Sequence, residues 1–137
     1  MDRLDEQIVA LLREDSRLSF VEIASKVKLS EAAVRRRVAN LASSGVIRKF
    51  TVELNEPELT SAITYISVSP SHPTSEVSKS IRGIVGVETI YETTGQFDIA
   101  VIIKGPNIAE VNKSVEEIRR LTGVINTNTT IVLRTIR

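Results

Sequence analysis

Two stretches of this chain, IRGIVGVETIYET from Ile81 and IRRLTGVINTNTT from Ile118, share Ile, Arg, Gly, Val and a Thr in register at an offset of 37 residues. Each reads as the end of a helix running through Gly into a strand. Upstream of each lies a β-rich run, Ala62 to Val68 and Phe97 to Lys104, followed by an amphipathic helix. The first helix carries Val77, Ile81 and Ile84, and the second carries Ile108, Val111, Val115 and Ile118, all at helical spacing. Asn107 and Glu110 form a capping-box pair just after the Gly105-Pro106 turn. The order strand, helix, strand, strand, helix, strand predicts a ferredoxin-like βαββαβ domain, an antiparallel four-stranded sheet with both helices on one face.

Such a sheet has a second face to cover. In the run Phe97 to Lys104, Phe97, Ile99, Val101 and Ile103 fall on one side while Ala100 and Ile102 are apolar on the other, so both sides call for burial. Two copies packing sheet to sheet answer that demand, and the sequence therefore predicts a homodimer.

The chain upstream has a different character. Leu4, Ile8, Leu11 and Leu12 make one amphipathic helix, with Asp2 placed to cap it. Ser19 with Glu22 three positions on is a capping box that opens a short helix running to about Val27. Lys28-Leu29-Ser30 is then a turn, and Ser30 caps a second helix whose Val34, Val38 and Leu41 share one buried face; Gly45 ends it. With the valines turned inward, Glu31, Ala32, Arg35 and Arg36 face out near the helix N-terminus, where a recognition helix presents side chains to base edges. Val46 to Leu54 (VIRKFTVEL) is β-rich, and with Arg48 and Lys49 exposed beside Phe50 it is expected to form a short wing against the DNA backbone. Asn55 to Thr60, with Pro57 among short polar residues, reads as a linker. The expected organisation is α+β: a winged helix-turn-helix domain over 1–54, a linker over 55–61 and a ferredoxin-like domain over 62–137.

Charge is distributed to match. Between Lys26 and Lys49 there are seven basic residues (Lys26, Lys28, Arg35, Arg36, Arg37, Arg48, Lys49) against Glu31 alone, a balance of +6, although the whole chain is only +1. Residues 1–25 carry three basic against six acidic side chains, a balance of −3. A basic patch focused on one segment is what phosphate contact requires.

Other classes find little support. Apolar runs stop at five residues, as at Ile99 to Ile103, far short of the roughly twenty a spanning helix needs. Met1-Asp2-Arg3-Leu4-Asp5-Glu6 is acidic and has no apolar core segment, so no secretory signal is expected and the cytoplasm is the expected compartment. Absence of cysteine excludes disulfides, thiolate metal sites and thiol nucleophiles, and no resident cofactor is expected. His72, the single histidine, lies beside Pro73 at the mouth of a helix and has no partner for a triad or a multi-histidine metal site. Gly83-Ile84-Val85-Gly86 matches a bare G-x-x-G of the kind that clamps RNA, a pattern that packing at a helix end explains as well.

Taken together, these motifs resemble the Lrp/AsnC, or feast/famine, family of transcription regulators over nearly the whole chain. LDEQIVALLREDSRLSFVEIA resembles the family's opening, LSEAAVRRRVANLASSGVIRKF its recognition helix and wing, and TGQFD followed by GVINTNTTIVL its C-terminal sensor domain of the RAM type. The resemblance implies a dimer that often assembles into octamers, binds double-stranded promoter DNA, and takes a small effector, commonly an amino acid, between dimers. Lys28 departs from the family, which usually has Gly in that turn; a left-handed lysine there accepts a backbone penalty and gains a phosphate contact. Arg37 sits on a strongly patterned family position and is read as bracing the wing or a phosphate. Effector contacts are implied in Thr94-Gly95-Gln96-Phe97-Asp98. Gly95-Gln96 fits a type II′ hairpin that sets Thr93 opposite Asp98. Gly95 backbone there can donate to a ligand carboxylate, and Asp98 can accept from its ammonium. An equally weighted alternative is that Asp98 only serves the turn and Gly95 only its backbone angles.

Two functions from different classes stay open on sequence alone. One is a DNA-binding transcription factor, contacting DNA through Lys28, Ser30, Glu31, Ala32, Arg35, Arg36, Arg37, Arg48 and Lys49. The other is a metabolite-sensing ferredoxin-like module that regulates a partner protein, since such domains host many functions.

Overall fold

A computed structural model describes residues 1–137, which divide into two compact units, Met1–Leu54 and Asn55–Arg137. In the first, α1 (Arg3–Glu14), α2 (Phe20–Val27) and α3 (Glu31–Ser43) pack around Ile8, Ile23, Ala24, Val27, Val34 and Val38. Ile8, Ile23 and Val34 are fully buried, each contributing about 1.5–3 kcal/mol relative to exposure. Helix starts are fixed by side chains. Asp2 and Asp5, and Ser19 and Glu22, form reciprocal capping boxes, while Ser30 Oγ accepts from the Ala33 N–H at 3.2 Å.

The expected wing does not form: residues 46–59 contain no strand. Ile47 donates its N–H to the Leu41 carbonyl and packs against the helical core, folding the start of the segment back on α3. Beyond it the chain runs into Pro57, which lacks a donor, and supplies no return strand, so β propensity has nothing to pair with. Phe50, Val52 and Leu54 remain exposed.

The second unit holds β1 (Thr60–Val68), α4 (Thr74–Ile81), β2 (Val87–Glu92), β3 (Ile99–Gly105), α5 (Ile108–Arg119) and β4 (Val124–Ile131). Its sheet has the order β2-β3-β1-β4 with every pair antiparallel, the ferredoxin-like topology. Ala62, Ile66, Ile99, Val101 and Ile103 face the helices and meet Val77, Ile81, Val111, Val115 and Ile118. Thr64 is wholly buried among them, its hydroxyl satisfied by Thr129 Oγ1 at 2.9 Å.

The repeat is visible as geometry. Gly86 (φ +84°) and Gly123 (φ +95°) occupy equivalent left-handed positions, each followed by a valine that opens a strand. At Gly86 a Cβ would collide with the Lys104 backbone oxygen, so only glycine fits. Lys104 also bridges Glu56 at 3.6 Å and Glu88 at 3.3 Å, tying the segment before β1 to β2.

Three sequence expectations shift. Ile108 is 61% exposed, because α5 begins a turn before the core, whose near boundary is Val111 packed against Gly105. Glu110 does not close a capping box; Asn107 caps its N–H, but its carboxylate pairs with Lys113. Phe97 lies outside β3 and stacks on Tyr65, 5.3 Å between centroids. Tyr65 pairs with Ala100, so Phe97 belongs to the face opposite Ile99.

That opposite face carries Ile63 and Tyr65 of β1, Ala100 and Ile102 of β3, and Thr89 and Tyr91 of β2, with Asn126, Asn128 and Thr130 on β4. Neither α4 nor α5 covers it.

Candidate nucleic-acid interface and effector loop

Position of the basic residues follows from how α3 is buried. Val34, Val38 and Leu41 fix its inner face, which leaves Glu31, Ala32, Arg35 and Arg36 exposed on the outer one. Ser30 is the N-cap, and Lys28, Arg48 and Lys49 are exposed beyond the ends of the helix. Lys28 adopts φ 57° and ψ 47°, the one non-glycine residue with positive φ in the chain. Its αL conformation ends α2 and turns the chain so that Ser30 can open α3.

The three consecutive arginines have three fates. Arg36 makes no ion pair or hydrogen bond and is free to reach outward. Arg35 donates to Glu31 one turn back, and its guanidinium lies 4.9 Å from the centroid of the Phe20 ring. Arg37 turns toward α1, donating to Asp2 Oδ2 and Asp5 Oδ1, both at 2.8 Å. This corrects the expectation that Arg37 braces a wing or a phosphate: its side chain is only 26% exposed and its charge is matched by two carboxylates.

That cluster is electrostatically settled. The Asp5 N–H and then Arg37 hold the Asp2 carboxyl below its ordinary value, and the Asp2 N–H and then Arg37 do the same for Asp5. Arg37 is raised above its usual value, chiefly by Asp5 and then Asp2. Glu22 is lowered by the Ser19 N–H, in the second capping box.

In the second unit, Thr94 to Phe97 join β2 to Ile99 through a loop closed by the Thr93 N–H donating to Asp98 O at 2.9 Å. Thr93 therefore lies opposite Asp98, as the register requires. The connection is wider than the expected two-residue type II′ turn, because Thr93 Oγ1 bonds the Phe97 carbonyl at 2.9 Å and holds that end open. Gly95 has φ +101° with nothing within 4 Å of where a Cβ would stand. Asp98 Oδ2 accepts from the Val68 N–H at 2.7 Å, where the β1 register shifts, and the Asp98 N–H reaches Ile66 O. One carboxylate oxygen is thus committed to the sheet. Thr94, Gly95 and Gln96 are exposed, while Phe97 and Asp98 are half-buried. No group of histidine, cysteine or carboxylate side chains has the arrangement to hold a metal ion, and no helix is long and apolar enough to cross a membrane.

Residues 1–42 match the AsnC-type helix-turn-helix domain, and residues 61–137 match the Lrp/AsnC ligand-binding domain. The HTH-type transcriptional regulator LysM of Saccharolobus solfataricus is 43% identical over 98% of this chain and 95% of its own length. The protein of the same name from Sulfurisphaera tokodaii is 44% identical over 98% and 96%. Among solved structures, LrpC of B. subtilis superposes with a TM-score of 0.83 at 25% identity, covering 100% of this chain and 97% of that one.

Proposed function

The chain belongs to the Lrp/AsnC family of transcriptional regulators, and on that premise we propose that its first unit reads promoter DNA as part of a homodimer or higher assembly whose second unit senses an amino acid. It is a helix-turn-helix DNA-binding regulator and not an enzyme. The observation that carries the assignment of the reading surface is the outward N-terminal half of α3, where Arg36 stands unpaired beside Arg35. Lys28, Arg48 and Lys49 flank it as phosphate contacts, with Ser30, Glu31 and Ala32 at the base edges. Arg37 is left out of this surface.

Dimerisation is supported by the apolar strip of Ile63, Tyr65, Ala100 and Ile102 on the face the helices leave open, and two-fold pairing supplies two recognition helices for a palindromic site. For the effector, the supporting features are the open backbone at Gly95, the exposed Thr94 and Gln96, and the Asp98 oxygen not used by Val68. An α-amino acid offers the complementary carboxylate and ammonium. Its side chain would meet Phe97.

Electrophoretic shift on the DNA upstream of this protein's own gene, repeated over a salt series and with single amino acids added, tests the whole reading. Binding should fall steeply with salt and change with one amino acid. Salt-insensitive binding, or none, refutes it.

A further inference from the structure

The three arginines of α3 differ in how far their geometry is set before any DNA arrives. Arg36 is unconstrained and Arg37 is committed to α1, whereas Arg35 is held on two sides. Phe20, the first residue of α2, is half-buried and packs on the helical core, so its ring is fixed by the fold. The guanidinium of Arg35 lies over that ring at 4.9 Å, and Glu31 accepts from one of its terminal nitrogens. Leu18, Ser19, Phe20, Val21, Glu31 and Arg35 line a shallow open groove of about 310 Å³, so the held guanidinium borders open space.

A guanidinium has five N–H donors in a planar fork, and Glu31 engages only part of it. The remaining donors are available for the paired O6 and N7 acceptors that guanine presents in the major groove. An arginine already fixed in plane loses less rotamer freedom on binding than a free one, and it tolerates misplacement of its target less well. The first strengthens binding where the fork meets its paired acceptors and the second weakens it where they are absent, so the two together widen the difference between a matching and a mismatched base pair.

We infer that Phe20 is a positioning residue for base recognition: it stacks Arg35, with Glu31 on one edge, into an orientation that selects a guanine at one position of each half-site, while Arg36 adapts to its target on binding. The inference rests on the DNA-reading assignment above and names which arginine carries selectivity and what holds it.

Selection of bound sequences from a randomised duplex, run on the full chain, tests it. Arg35→Ala should lose the preference for guanine at one base pair, and Phe20→Leu should lose it at that same base pair by roughly tenfold, with affinity for unrelated DNA unchanged. Phe20→Tyr, which keeps the ring, should retain the preference. If Phe20→Leu weakens all sequences alike, or leaves the guanine preference intact, the inference is overturned while the DNA-reading assignment stands. If the wild-type protein selects no sequence, both fall together. Because Phe20→Leu can disturb the core, a measurement on the unaltered protein stands beside it. In the DNA-free state the Arg35 side-chain Nε–H should be displaced by the ring current of Phe20 and be more ordered than that of Arg36. Equal disorder at the two arginines defeats the inference without any mutant.

Discussion

Replacing Lys28 by glycine separates two roles that the residue holds at once. Its αL backbone costs an L-residue about 1 kcal/mol that glycine does not pay, so Lys28→Gly should stabilise the first unit by roughly 0.5–1 kcal/mol in chemical denaturation. The same change removes an exposed cation next to the reading helix. Affinity for every DNA sequence should then fall together, and the salt slope should decrease by about 1. A stabilised protein with unaltered DNA affinity would show that Lys28 touches no phosphate. The turn itself was legible from Lys28-Leu29-Ser30, and the outward set on α3 from the spacing of Val34, Val38 and Leu41. The fate of Arg37 was not, because its partners Asp2 and Asp5 lie 35 and 32 residues away and nothing local announces them. Asp98 is the same case, its carboxylate taken in part by the Val68 N–H from 30 residues off.

At the level of elements, the capping carboxylates set an acid limit on the helical unit. Asp2 and Asp5 are depressed below the ordinary aspartate value of 3.8, and Glu22 below the glutamate value of 4.5. A group depressed on folding contributes stability above its unfolded value and loses it as pH falls through the folded one. The protection of amides in α1 and α2, taken relative to the intrinsic exchange rate at each pH, should therefore fall on acidification from about pH 4.5 downward. Arg37→Ala should flatten the α1 part of that dependence and lower the melting temperature, with base preference unmoved. An unchanged acid profile would mean the Arg37 contacts contribute nothing. Gly86→Ala is the severe change among the strands. It places a Cβ against the Lys104 carbonyl and also forces a left-handed alanine, so a loss above about 2 kcal/mol is expected, read from the denaturation midpoint. The cap at Asp2, the capping box at Ser19 and the duplicated helix-to-strand joints announced these elements in advance, whereas the reciprocal bond from Asp5 to Asp2 did not show in the sequence. The wing failed because β propensity describes one strand, whereas a ribbon needs two.

For the whole molecule, the decisive substitution is Ile102→Asp. Ile102 sits on the uncovered face opposite Ile63, so a carboxylate there leaves the fold of one chain largely untouched and is costly only where a second sheet lies over it. Light scattering at micromolar concentration should give a dimer or larger for the wild type and a smaller species for the variant. A monomeric wild type would remove the sandwich. The pairing of β1 has a further consequence, in time rather than in space. This strand is flanked by β3 and by β4, and β4 runs from Val124 to Ile131, so the sheet cannot be completed until that stretch, far downstream of the three helices, has left the ribosome. The three helices need only local contacts and close in microseconds to milliseconds, well before a sheet built from distant pairings. During synthesis, the helix-turn-helix is thus finished first, and every nascent chain passes through a period in which it has a DNA-binding domain and no completed ligand-binding domain.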